Sequence, residues 1–213
     1  MATRHLRVVG LGDSTTAGTP GFLSPLEAPP EGKGNSESQY TYWMMKAHPS
    51  WIMLNRGING QRSDEILSRF QRDVLLEKPD YVIILAGVND IYKSAPLESI
   101  ERNLLEMYDS AVKAKIVPVA ATVLPYNTAS KSESSKIQKL NNWIRSTAKS
   151  IGIPFCDTNG AVADPDDPDR LQASPDGLHP DVLGYQNMAV RLAEVIERQA
   201  LSRHNDVHLG LTR

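Results

Sequence analysis

Cys156 is the only cysteine in 213 residues, so no disulfide can form within the chain and the fold must rest on its packed core. A lone interior cysteine of this kind reads as a small hydrophobe and not as a nucleophile. No apolar run approaches the roughly 18 residues of a membrane-spanning helix. The N-terminal apolar stretch after Arg4 breaks at Gly10 and Gly12, which suits a first strand better than a secretory leader. Neither sign of charge is in surplus: 23 Lys and Arg face 25 Asp and Glu, a net charge of −2. The basic residues are dispersed, which argues against a nucleic-acid partner. As given, the chain reads as cytoplasmic unless a leader was trimmed from it. No internal repeat is visible, and nothing in the sequence specifies an oligomeric state.

What is present is the alternation of an α/β domain. One core spanning 1–200 is expected for this length, followed by a polar tail at 201–213. Strands are predicted over 6–11, 51–55, 81–85, 116–123 and 153–156. Helical spacing covers 40–47, the stretch from Ser63 to Leu75, the stretch after Pro96, 130–150 and about 180–199. Ser63 is the predicted N-cap of the second of these helices. Strands alternating with helices predict a three-layer α/β/α sandwich around a five-stranded parallel sheet, in the flavodoxin-like order 2-1-3-4-5. A long loop at 19–39, rich in proline and glycine, starts beside the first strand's turn and is a candidate wall or lid for a binding site.

That topology gathers the turns after the strands at one edge, where open α/β sheets bind ligands. Ser14 follows the first strand in Gly12-Asp13-Ser14 and can offer a nucleophilic hydroxyl. Gly60 follows the second strand and offers a backbone N–H without a side chain. Asn89, after the third strand, offers an amide donor. His179 can take the serine proton, with Asp176 three residues earlier orienting its ring. Nucleophile, base, orienting carboxylate and oxyanion donors are the parts of an acyl-transfer site.

These four turns resemble the blocks of the SGNH (GDSL-type) hydrolases. Gly12-Asp13-Ser14 matches the first block, with Thr15 where many members carry leucine. Asn55-Arg56-Gly57-Ile58-Asn59-Gly60, Gly87-Val88-Asn89-Asp90 and Asp176-Gly177-Leu178-His179-Pro180 match the others in family order. The resemblance implies a catalytic triad of Ser14, His179 and Asp176, and an oxyanion hole of Ser14 N–H, Gly60 N–H and the Asn89 side chain. No Gly-x-Ser-x-Gly elbow is present, so the larger α/β-hydrolase fold is not indicated.

The expected function is a serine esterase that hydrolyses short-acyl carboxylic esters of small molecules through an acyl-enzyme, with no cofactor and no metal. The alternatives are a lysophospholipase or thioesterase of the same family, and a non-catalytic acyl- or sugar-binding module. Asp13, Phe22, Leu23 and Tyr126 are the candidate substrate-binding residues. The Asp164–Asp169 stretch lacks the glycine and distal glutamate of an EF-hand loop and reads as a solvated turn. His5, His48, His204 and His208 have no triad context and receive no role.

Overall fold

In the computed structural model, which describes residues 5–18 and 36–208, five strands form one all-parallel sheet. They are β1 (Arg7–Gly12), β2 (Ile52–Gly57), β3 (Tyr81–Leu85), β4 (Val117–Ala121) and β5 (Phe155–Cys156). Their spatial order is β2-β1-β3-β4-β5, as the alternation of elements predicted. The chain therefore reverses direction across the sheet beside β1, which opens a crevice at its carboxyl end.

Side chains on alternate positions of these strands feed two cores. Val9, Leu11, Val82, Ile84 and Ala120 face one layer, which is built from α3 (Ser63–Ser68), α5 (Leu97–Lys113) and α6 (Lys131–Ile151). Ile66, Phe70, Ile100, Leu104, Leu140 and Ile144 fill it. Val8, Tyr81, Ile83, Leu85 and Val119 face the other layer, built from α2 (Tyr40–Ala47), α7 (Thr158–Val162) and α8 (Val182–His208). There Tyr40, Met44, Tyr185, Met188, Leu192 and Ile196 are buried. Burial on both faces is why β3 is an unbroken apolar run, Tyr-Val-Ile-Ile-Leu.

Two short helices complete the fold: α1 (Ser14–Ala17) directly after β1, and α4 (Val88–Tyr92) directly after β3. Helix α6 starts where the sequence places it, because Ser130 and Glu133 form a reciprocal capping box that satisfies two backbone donors.

Three expectations are corrected. The helix predicted from Ser63 to Leu75 is interrupted: α3 stops at Ser68 and a π turn occupies Gln71–Leu75. Ser63 is not the N-cap but the first helical residue. Its N–H and Oγ–H both donate to the Asp90 carboxylate, at 2.8 and 2.7 Å, so a residue of α4, the short helix after β3, caps this helix. The last helix continues to His208, into the stretch expected to be a tail, because neither proline nor glycine occurs between Ala200 and Gly210 to stop it. Of the 19–39 loop, only Ser36–Ser38, a 3-10 turn, and Gln39 belong to the described residues. Phe22 and Leu23 lie outside them.

The sheet approaches α1 too closely for a side chain at Gly57. A Cβ at Gly57 would stand 2.1 Å from the backbone nitrogen of Ala17, so β2 and α1 share backbone contact there. Gly57→Ala is expected to destabilise the protein by about 1–3 kcal/mol through overpacking, read as a lower urea midpoint with an unchanged denaturant slope.

Candidate active site

Ser14 is the first residue of α1 and stands at the carboxyl end of β1, between β2 and β3 in the sheet. Asp13 precedes it, and its Oδ1 accepts the Thr15 N–H at 2.9 Å. Gly18, in the left-handed region at φ 95°, ends the helix after a single turn. The hydroxyl is thereby held by backbone geometry and not by its own rotamer alone. Ser14 Oγ lies 2.8 Å from His179 Nε2, and His179 Nδ1 lies 2.7 Å from Asp176 Oδ2.

The direction of the protons follows from the carboxylate. An ionised Asp176 only accepts, so Nδ1 carries the ring proton and Nε2 is left to accept the serine O–H. Burial works against the Asp176 charge. The hydrogen bond from His179, with the Leu178 and His179 N–H groups on Oδ1 at 2.9 and 2.8 Å, outweighs it and keeps its pKa below the usual carboxylate value. The loop that carries these residues is fixed from within and from outside. Ser174 Oγ donates to the His179 carbonyl at 2.7 Å, and Asn127 N–H donates to the Gly177 carbonyl at 2.8 Å.

Ser14, Gly60, Asn89 and His179 border one cleft of about 290 Å³, as does Tyr126. Gly60 sits at φ 72° and a Cβ there would meet nothing within 4 Å. The glycine is required by its backbone conformation, not by crowding, and the space above it is open. The Asn89 amide donates one proton to the Gln61 carbonyl at 3.0 Å, which fixes the amide plane and leaves its second proton for another acceptor.

Asp13 was expected to touch substrate. It is 1% exposed, does not border the cleft, and supports the serine turn from below. Burial raises its pKa to about 6, against the Thr15 N–H bond and the nearby His179. Thr15, Asn59, Tyr92, Leu124, Pro125 and Leu178 also border the cleft. None of them was singled out in the sequence as lining a site, although each lies within three residues of a recognised block or of Tyr126. Thr15 occupies the position where the family motif often has leucine, and so puts a hydroxyl-bearing side chain at the cleft wall.

Among the described residues no group of three or more His, Cys, Asp or Glu side chains is placed to hold a metal. In the acidic loop, Asp164 and Asp167 accept the N–H of Asp166 and Asp169 in their own turns. Cys156 is buried beneath α8, and burial pushes its thiol up to about 12, so it is not a thiolate at neutral pH.

A sequence model of the GDSL-like lipase/acylhydrolase family matches residues 11–186. The chain belongs to this family. A G-D-S-L family protein from Desulfitobacterium hafniense DCB-2 superposes with a TM-score of 0.75 at 29% identity, over 90% of this chain and 99% of that one. The uncharacterized lipoprotein YqeF of Bacillus subtilis is 30% identical over 113 residues, 43% of this chain and 46% of its own length. An acetylxylan esterase of Geobacillus stearothermophilus is 27% identical over 67 residues, 30% of this chain and 31% of its own. The chain thus aligns with less than half of each of these two curated relatives. A structure of the acetylxylan esterase Axe2 from the same organism shares the fold, with a TM-score of 0.71 at 20% identity over 90% of this chain and 94% of that one. No helix among the described residues is long and apolar enough to cross a membrane.

The raised Asp13 pKa makes a signed prediction. Its folded value of about 6 lies above the ordinary aspartate value of 3.8, so the native state holds the proton more tightly. The resulting stability is complete below about pH 4 and is lost as pH rises through 6. Asp13→Asn keeps the acceptor for Thr15 N–H but cannot ionise. Its urea-unfolding free energy relative to the parent is therefore expected to improve between pH 4 and 7 by about 2–3 kcal/mol.

Proposed function

We propose that this GDSL hydrolase is a serine esterase acting on short-acyl esters through an acyl-enzyme. The observation that carries the reading is the unbroken relay from Ser14 Oγ through His179 to Asp176, at 2.8 and 2.7 Å, beside a cleft that Gly60 and Asn89 also border.

In the first half-reaction Ser14 Oγ attacks the ester carbonyl as its proton passes to His179 Nε2. The oxygen of the tetrahedral intermediate takes its negative charge toward the N–H groups of Ser14 and Gly60 and the free amide proton of Asn89. Collapse breaks the bond to the alcohol, which receives the proton back from His179. Water then attacks the acyl-enzyme with the same base, the acid leaves, and the serine hydroxyl is restored. Asp176 holds the ring tautomer and stabilises the imidazolium without taking the proton itself. No step calls on a metal or cofactor.

Short acyl chains are favoured by volume: about 290 Å³ lies at the small end of ligand cavities. The acetylxylan esterase among the relatives makes an acetylated sugar the first natural substrate class to try. A cytoplasmic place of action belongs to the same proposal, and the relative named a lipoprotein makes cell fractionation its check.

The test is hydrolysis of p-nitrophenyl esters from acetate to dodecanoate. The maximum is expected at acetate or butyrate, and Ser14→Ala is expected to retain only residual turnover. Asn89→Ala should lower kcat by about 10²–10³-fold, as loss of one oxyanion donor does, while melting normally. A maximum at long chains would instead support a lysophospholipase. No turnover on any ester would leave the binding-module alternative.

A further inference from the structure

Beneath the cleft, Arg69 is a guanidinium in an unusual position. It lies at the break between α3 and the π turn, is 6% exposed, and is spent almost wholly on other elements. Its Nη2 donates to the Gly12 carbonyl at 2.8 Å, at the end of β1 and two residues before Ser14. Its Nη1 donates to the Arg56 carbonyl at 2.9 Å, at the end of β2, and to Asp73 Oδ2 at 2.6 Å. Its Nε donates to Gln61 Oε1 at 2.6 Å. The Gln61 carbonyl in turn holds the Asn89 amide, and Gly60 is its neighbour in the chain.

One side chain therefore reaches the strand that presents Ser14, the strand that leads to Gly60, and the residue that orients Asn89. The planar fork of arginine serves these four acceptors in fixed directions, which a lysine ammonium cannot. The charge is matched by Asp73, which also accepts from Arg72 Nε at 2.6 Å and Nη2 at 3.0 Å, so the buried cation is paired as well as hydrogen-bonded. The local departure from α-helical spacing falls at this residue. A π segment inside a helix frequently marks a functional site; here it follows directly, while Asp73 reaches the guanidinium at ordinary i,i+4 spacing.

We infer that Arg69, acting through Gln61, is a positioning residue for the oxyanion hole: it sets the distance between the Gly60 and Asn89 donors and Ser14. This deepens the esterase reading and rests on its assignment of Gly60 and Asn89 as the donors. It predicts that loosening Gln61 costs turnover and not substrate affinity, because the donors act on charge that develops only in the transition state.

The experiment is steady-state hydrolysis of p-nitrophenyl acetate by Gln61→Ala, Asn89→Ala, the double variant and Arg69→Lys, with thermal melting of each. Gln61→Ala is expected to lower kcat about tenfold, less than complete loss of a donor, with KM within about twofold of the parent. In the Asn89→Ala background the same change should cost less than about threefold, because one of the donors it positions is already gone. Arg69→Lys should reproduce the kcat loss. Where that variant does not fold, the Gln61 cycle decides alone. Unchanged kcat in Gln61→Ala, beside a large loss in Asn89→Ala, would overturn the positioning role and leave the esterase reading standing. A tenfold loss that multiplies fully in the double variant would also overturn it. Full kcat in Asn89→Ala would remove the oxyanion assignment itself, and this inference with it.

Discussion

The hydrogen bond from Ser14 to His179 closes a span of 165 residues, and most of the structure serves to make that closure rigid. A serine hydroxyl and an imidazole at 2.8 Å tolerate little misplacement, yet they come from the short helix after the first strand and from the loop before the last helix. The parallel sheet solves this by bringing every strand's carboxyl end to one edge, whatever the separation in sequence. Two buried layers then hold the sheet, with Leu11 and Ile84 packed on one face and Tyr81 and Ile83 on the other. The His179 loop is tied to the β4 end through Asn127 and Gly177.

Polar groups under the cleft do the finer work. Asp90 is 3% exposed and takes both donors of Ser63, which joins α4 to the start of α3. Arg69 joins that same helical segment to the ends of β1 and β2. Buried charges of this kind are costly to leave unpaired, so each makes its neighbouring turn adopt one conformation. The Asp176 carboxylate shows the balance in small: burial opposes its charge, but three hydrogen bonds from the His179 ring and two N–H groups overcome it. The histidine can then hold its proton on the side away from serine.

Much of this was legible in the sequence. The parallel sheet with helices on both faces follows from alternating apolar runs and helical spacing, its order is the flavodoxin-like one expected, and β3 and α2 lie where those patterns put them. The four turns with Ser14, Gly60, Asn89 and Asp176–His179 could be brought together because a parallel sheet leaves them nowhere else to meet. Tyr126 was found by the same logic. Other features were not visible, for identifiable reasons. At the break, Arg69 donates to carbonyls of Gly12 and Arg56, partners that helical periodicity does not record. Ser63 looked like an N-cap because serine favours that place, whereas the cap comes from Asp90, 27 residues away. Asp13 shares a motif with Ser14, but adjacent residues at a sharp turn point in different directions, and the Asp13 carboxylate is turned inward. Tyr92 and Leu178 carry no signal apart from their neighbours' motifs.

The central claim is that Ser14 is a nucleophile activated by His179. Its most direct test is intact-protein and peptide mass spectrometry after treatment with a fluorophosphonate, which bonds to an activated serine oxygen with loss of fluoride. The account predicts one adduct per chain, mapped to Ser14, and its absence after His179→Ala in a protein that melts normally. An adduct on another residue, or none on the folded parent, would contradict it.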